Sequence, residues 1–456
     1  MDPLQLLAKH VLDPIEAFRE GSDHRRVLRE LERSQYLPAE DLKRLQAERL
    51  RTMLTHAARN CPFYTERFEA AGVDPARDDP FEALRALPVL TKSDIQKNRD
   101  RMIAGNYEPA QLVPNRTGGS TGAPLRFFLN RERMFSRKAA TMRHDRWAGL
   151  DIGLKTGILW GARRDLDDAP GPKERLRNRF YGRRLVLDAS DITPAALREF
   201  ESTLRRFRPK VYLAYANAVY LYARYLREKK IPGYHRPDSV ITSAEYLSPR
   251  QRATIEEVFE CPVFNRYGCR ETSIIASECD RHDGLHVCAE ILLVEILEAR
   301  ASDEAAAGQI IVTDLLNFGM PLIRYRIEDM GRAVEGECLC GRGLPRIEMA
   351  GGRMSDFLIT PDGRAVSGTS MAHFIGLLPG IAQVQMVQEE RDHLLIRIVK
   401  GEDYDERSRQ AAADHVRRFF GAAMKHDIEF VDKIPTGPSG KHPFTVSKLD
   451  PLEFLT

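Results

Sequence analysis

Between about residues 150 and 350, short apolar runs alternate with helical stretches, and no other feature of this chain restricts its fold as much. TGILWGA, KVYLAYA, PVFNRYG, LLVEILE and GQIIVTDL have the length and composition of strands, whereas ARYLREKK and SPRQRATIEEVFE read as helices. Such alternation predicts an α/β or mixed (α+β) architecture built on a sheet, since helices laid on a sheet are how this pattern buries its apolar surface.

The flanks read differently. The first hundred residues are helical in pattern: LPAEDLKRLQAERLRTMLTHAARNCPFYTERFEAAG carries apolar positions at helical spacing, with Pro38 just ahead of the first turn. From Asn115 to Leu129 the chain changes to a Gly/Ser/Thr loop followed by a short strand, LRFFL, and Arg131 to Trp147 reads as a helix. Beyond Gly351, the strands AQVQMVQEE, HLLIRIVK and DIEFVDKI flank one long helix, Asp405 to Met424. A chain of 456 residues exceeds one core of ordinary size. The expected division is a large domain over 1–352, with a helical region over about 1–110, and a small α+β domain over 353–456.

Lys and Arg number 69 against 66 Asp and Glu, a formal net charge of +3, so little positive charge is left over for a nucleic acid backbone. The N-terminus mixes charges into every turn and resembles no signal peptide, and no window reaches the roughly 18 to 20 apolar residues of a membrane span. These features predict a cytoplasmic protein without a membrane span. The seven cysteines, at 61, 261, 269, 279, 288, 338 and 340, lack a disulfide framework and point to thiols or a metal site.

Thr117-Gly-Gly-Ser-Thr-Gly-Ala-Pro124 packs three glycines and three hydroxyl residues into one loop. Glycines let the backbone approach an anion, while hydroxyls and N–H groups donate to phosphate oxygens. No Walker lysine follows, which disfavours a P-loop NTPase and leaves the loop open between a plain hairpin and a phosphate cradle. Further along stand Tyr267-Gly-Cys-Arg-Glu271, TDLLNFGMPLIRYRIED ending at Asp329, Gly352-Arg353 and Pro438-Ser-Gly-Lys441. With LPVLTKSDI at 87–95 in front of them, these motifs resemble, in order and over essentially the whole chain, the adenylate-forming (AMP-binding) superfamily, and within it the phenylacetate-coenzyme A ligase branch with its capsule-biosynthesis relatives.

That resemblance implies an ATP-dependent, AMP-forming ligase that activates a small carboxylic acid, possibly aromatic, as an acyl-adenylate. It implies ATP contacts from Thr117, Gly118, Gly119, Ser120, Thr121 and Gly122, with Tyr267 stacking on adenine beside Gly268, and Glu271 binding Mg2+. Asp329 would accept from the ribose hydroxyls, Arg353 would contact ribose or phosphate, and Lys441 would bridge the carboxylate and the α-phosphate. Three positions depart from the pattern. Arg270 stands where Thr or Ser is usual and could bind phosphate itself or crowd the site. Glu328 replaces a glycine, and Ser355 replaces an acidic hinge residue, so that a mobile tail could pivot on Asp356 instead.

Cys279 and His286 in ECDRHDGLH, with Cys338-Leu-Cys340-Gly, offer the three thiolates and one imidazole that structural zinc prefers, and relatives of this branch hold zinc on similarly placed residues. His282 is the alternative to His286. Cys269 and Cys288 read as buried small hydrophobes. By resemblance, Tyr215, Ala216, Ser243, Ala244 and Glu245 would line the carboxylate pocket. Coenzyme A is the acceptor that the resemblance favours. An amine, a hydroxyl or a carrier thiol, as in polysaccharide or secondary-metabolite synthesis, remains a second reading, a non-catalytic nucleotide-binding homologue is a third, and a homodimer stays open.

Overall fold

Pro62 divides the N-terminal helical pattern. The residue before a proline is pushed out of the α region, and Cys61 is extended, with φ −116° and ψ 107°. One long run therefore becomes two helices, Ala39–Asn60 and Pro62–Ala71, the second ending where Gly72 takes φ 66°. A computed structural model of the chain describes residues 2–117, 125–160, 171–189, 191–298, 308–349, 357–362, 365–367, 371, 375–376, 378–401, 403–434 and 445–449. Leu50, Leu54, Phe63 and Phe68 pack with Leu125, Phe127 and Leu129, so the helical region braces the strand that leaves the glycine-rich loop.

That strand belongs to a hairpin of β1 (Leu112–Arg116) and β2 (Arg126–Asn130), followed by the helix Arg131–Trp147. Next come β3 (Thr156–Trp160), β4 (Arg184–Asp188), the short β5 (Asp191–Ile192), β6 (Val211–Tyr215), β7 (Ser239–Ser243) and β8 (Val263–Cys269). Helices Pro194–Phe207, Ala216–Glu228 and Pro249–Phe259 lie between them. They continue into β9 (Ser273–Glu278), β10 (Leu285–Val287), β11 (Leu292–Glu298), β12 (Gly308–Asp314), β13 (Tyr325–Val334) and β14 (Arg346–Met349). The tail supplies β15 (Phe357–Ile359), β16 (Ala365–Ser367), β17 (Ile381–Glu390), β18 (His393–Lys400), the helix Glu406–Phe420, β19 (Lys425–Phe430) and β20 (Thr445–Ser447).

One 11-stranded sheet runs in the order β11-β12-β13-β14-β10-β9-β8-β7-β6-β3-β4. From β4 to β8 every pairing is parallel, and from β8 to β11 every pairing is antiparallel, so β8 is the seam between two kinds of sheet. A second sheet, β19-β18-β17-β20, alternates buried and half-buried residues along β18 and packs Leu394, Ile396 and Ile398 against Val416 and Phe420. β16 pairs with both β15 and β5, which ties the start of the tail to the large part. The architecture is thus mixed α/β with a C-terminal α+β unit. Among the described residues no helix is long and apolar enough to cross a membrane.

A buried ion pair holds the helix Arg131–Trp147 to β12 and to the β8–β9 return. Arg133 Nε donates to Asp314 Oδ2 at 2.7 Å, and Nη2 donates to the Thr272 carbonyl at 2.9 Å. Both side chains are 1% exposed or less, so either ion alone would be an uncompensated buried charge. Asp314→Asn should therefore lower stability by about 3 kcal/mol or more, read as a lowered urea midpoint. An unchanged midpoint would show that the pair is dispensable.

Candidate active site

In sheets with parallel strands, ligands settle beyond the carboxyl ends of those strands. Here the carboxyl ends of β3, β6 and β7 present Trp160, Tyr215 and Ser243 side by side. Trp160 and Tyr215 form an edge-to-face pair with ring centroids 4.6 Å apart. Glu245 Oε2 accepts from the Asn217 N–H at 2.8 Å, so this carboxylate serves the N-terminus of the helix Ala216–Glu228. Ala216 is fully buried beneath Tyr215, and Ala244 is exposed with φ 69°. Arg266 Nε approaches Ser243 Oγ at 3.4 Å while its Nη1 donates to Asp145 at 2.7 Å. Burial raises the pKa of Asp145 against the pull of Arg266.

The seam strand carries the next group. β13 reaches β8 and the return after it through two hydrogen bonds between side chains: the Tyr267 hydroxyl donates to Asp329 Oδ2 at 3.0 Å, and the Tyr325 hydroxyl donates to Glu271 Oε1 at 2.8 Å. Burial, reinforced by Cys269, Glu271 and Tyr325, pushes the Tyr267 phenol well above its ordinary value, so it stays a donor to Asp329 at any physiological pH. Tyr325 itself is fixed by LPVL: Leu90 accepts from the Arg326 N–H and donates to the Arg324 carbonyl, forming a parallel bridge opposite Tyr325. At Gly268 the register shifts, and a Cβ there would lie 2.4 Å from the Ser273 carbonyl oxygen, so the tight β8–β9 return admits only glycine. The same turn places Arg270, whose main-chain carbonyl accepts from Arg137 Nη2 at 2.7 Å.

Thr117 closes the base of the glycine-rich loop. Its N–H donates to the Leu125 carbonyl and its Oγ1 accepts from the Leu125 N–H, both at 2.9 Å. Gly118, Gly119, Ser120, Thr121 and Gly122 lie outside the described residues, as do Arg353, Ser355, Asp356 and Lys441. Trp160, Arg266 and Tyr325 are the residues that sequence reasoning passed over. Only the first had a usable signal, as an aromatic residue ending a predicted strand.

A second cluster sits at the other end of the antiparallel half. Cys279, His286, Cys338 and Cys340 bring their ligand atoms within 4.8 Å of one another. The Cys279 and Cys338 sulfurs are 3.7 Å apart, and Cys340 Sγ lies 3.4 Å from His286 Nε2. His286 Nδ1 faces the Leu344 carbonyl at 3.3 Å; a carbonyl only accepts, so Nδ1 carries the proton and Nε2 keeps its lone pair for the thiol side. Burial pushes the His286 pKa down to about 4, which keeps the ring neutral and able to ligate. Gly341 follows with φ 77° and donates to the Cys338 carbonyl, the left-handed turn such a knuckle needs. His282 is elsewhere: its Nδ1 bonds Glu278 at 3.2 Å and its ring packs on Phe264. Cys288 is buried with its sulfur 3.2 Å from Arg143 Nη2, and Cys269 meets Thr272 Oγ1 at 3.2 Å.

This arrangement, a parallel sheet turning antiparallel at a strand that carries Tyr267 and leads into Glu271, is the fold of the adenylate-forming acyl-CoA ligases. The solved structure of a 2-hydroxyisobutyryl-CoA ligase with 2-HIB-AMP and CoA in the thioesterification state matches with TM-score 0.61 and 18% identity, over 91% of this chain and 92% of that one. The same ligase in the postadenylation state gives 0.57, also at 18% identity, over 91% of both chains. In sequence the chain is a homologue of Protein CapK from Staphylococcus aureus, 26% identical over 90% of each chain, and of the phenylacetate-coenzyme A ligase from Thermus thermophilus, 25% identical over 71% of this chain and 73% of that one. Residues 358–448 match the family model of the CapK C-terminal domain.

Proposed function

We propose that the chain is an ATP-dependent, AMP-forming ligase that converts a small carboxylic acid to its acyl-adenylate and passes the acyl group to coenzyme A, in the cytoplasm. The observation that carries this reading is the paired contact across the seam, Tyr267 to Asp329 and Tyr325 to Glu271, in a homologue of phenylacetate-coenzyme A ligases. Asp329, oriented by Tyr267, would accept from ribose hydroxyls. Glu271, oriented by Tyr325, would hold Mg2+, whose charge offsets the phosphates as the carboxylate approaches. Attack by one anion on another needs further cations, which Lys441 and, at the base of the tail, Arg353 would supply. The tail over 353–456 would swing about residues 353–356, because one closed position cannot admit both the lysine and the later acceptor.

The Trp160–Tyr215 pair at the strand ends supports a planar, aromatic acid. The chemistry of Cys279, His286, Cys338 and Cys340 supports a structural zinc. Homology to CapK over 90% of the chain favours keeping a second acceptor in view, an amine or hydroxyl in place of the thiol. ATP–pyrophosphate exchange over a panel of aryl and alkyl acids, with acyl transfer then measured with and without coenzyme A, tests both. Exchange is expected with an aromatic acid, and thioester is expected only when coenzyme A is present. Adenylation without thioester would move the acceptor to an amine or hydroxyl, and no exchange with any acid would remove the ligase reading.

A further inference from the structure

The helical run at residues 3–20 turns large apolar side chains to solvent. Pro3–Leu7, a π turn at Ala8–Leu12 and Asp13–Glu20 follow one another without a break. Ala8, Asp13 and Ala17 are buried, whereas Leu7, Val11, Ile15 and Phe18, spaced four, four and three apart, are all exposed, Ile15 by 51% and Phe18 by 89%. A surface helix ordinarily points its large apolar residues at the core, so this stripe faces away from anything the chain itself offers. The run is not a loose tail. A Cβ on Gly153 would collide with the Ala8 methyl, which seats the helix directly on that turn, and Asp13 is held by His24 Nε2 at 3.2 Å and by the Tyr181 hydroxyl at 2.9 Å.

A second helical segment, Pro172–Arg177 with a π turn at Asn178–Gly182, lies against the first. Arg177 Nη2 donates to Glu16 Oε1 at 2.6 Å, and the Tyr181 contact to Asp13 comes from the same segment. Residues 173–184 hold six Lys and Arg against one acid, Glu174, in a chain whose charges otherwise nearly balance. Arg177 and Arg183 are taken up by Glu16 and Asp2, while Lys173, Arg175, Arg179 and Arg184 are exposed. Leu176, 60% exposed, stands among them.

We propose that these two segments form a docking surface for an anionic lipid bilayer, with Leu7, Val11, Ile15, Phe18 and Leu176 entering the boundary between headgroups and acyl chains and the basic segment resting on the headgroups. Helices that lie in a membrane interface combine large apolar residues on one face with Lys and Arg beside them, and each cation near an anionic surface adds to the attraction. Among the described residues no helix is long and apolar enough to cross a membrane, so this attachment is peripheral. Charge complementarity favours lipid over a second copy of the chain, because a two-fold contact through this patch would set the basic segment against itself.

The test is co-sedimentation of the full chain with vesicles of phosphatidylcholine alone and of phosphatidylcholine mixed equally with phosphatidylglycerol, with circular dichroism confirming that each variant is folded. The parent is expected to bind the mixed vesicles, to bind the neutral ones far less, and to be released by high salt. Ile15→Ser/Phe18→Ser should weaken binding to mixed vesicles by about tenfold or more. Lys173→Gln/Arg179→Gln should weaken it by about tenfold, and Lys173→Arg/Arg179→Lys, which keeps the charge, should bind as the parent does. Phe18→Trp should shift its added emission to shorter wavelength when mixed vesicles are present. No binding to mixed vesicles, or equal binding by the parent and both loss variants, overturns the proposal. If the parent ignores vesicles and sediments as a dimer that Ile15→Ser/Phe18→Ser dissociates, the patch is an interface between copies and the lipid proposal falls. Vesicle binding needs no acid, nucleotide or turnover, so it stands or falls apart from the ligase reading.

Discussion

Lys441→Ala should lower ATP–pyrophosphate exchange by about 100-fold or more, while transfer from a chemically prepared acyl-adenylate keeps a rate near that of the parent. The reason is charge. In the adenylation step a carboxylate closes on the α-phosphorus, and a cation that bridges the two contributes only while both are negative; once the mixed anhydride exists the acyl carbon needs no such bridge. Lys441 sits in TGPSGKHP, a run of turn residues without apolar neighbours in sequence, so its truncation should shift the thermal midpoint little. Equal losses in both half-reactions would assign the lysine to substrate binding in general, and near-normal exchange would remove it from the mechanism.

Cys338→Ser and His286→Ala should each abolish a zinc content of about one per chain, measured by elemental analysis of protein purified without a metal-affinity tag, and His282→Ala should leave it intact. The discrimination follows from geometry: His286 Nε2 lies 3.4 Å from Cys340 Sγ, whereas His282 bonds Glu278. The cluster joins the end of β9 and β10 to the loop between β13 and β14, segments about fifty residues apart in sequence. Metal-binding free energy is available only to the folded arrangement, so chelation of the parent should lower its melting temperature and leave Cys338→Ser unaffected. Less than about a tenth of an equivalent of zinc in an active, folded parent protein would remove the site.

Much of this protein was legible in its residues taken in order. The helix Arg131–Trp147 lies where its pattern placed it, and AQVQMVQEE and HLLIRIVK are strands around the helix Glu406–Phe420. The alternation between 150 and 350 produced a large sheet, and the motif order produced the homology to CapK and the phenylacetate-coenzyme A ligases. These successes share a cause. Period, turn chemistry and motif spacing are local properties, set within a few residues by backbone sterics and by which side of an element meets apolar neighbours.

What local pattern could not supply was partnership across the sheet. Tyr267 and Asp329 are sixty-two positions apart and Tyr325 and Glu271 fifty-four, and nothing near either tyrosine marks it as a donor to a carboxylate. Those contacts exist because the sheet changes from parallel to antiparallel at β8, a choice made by strand order. The same holds for Arg116 facing Arg126, which follows from the hairpin register, and for Arg133 with Asp314, 181 positions apart in sequence. The sequence by itself determined the elements and the chemistry each could offer. Only the tertiary structure decided which charges would be neutralised in the core and which would be set side by side at the surface, because the energy of a charge depends on distance and burial, and both are properties of the folded chain.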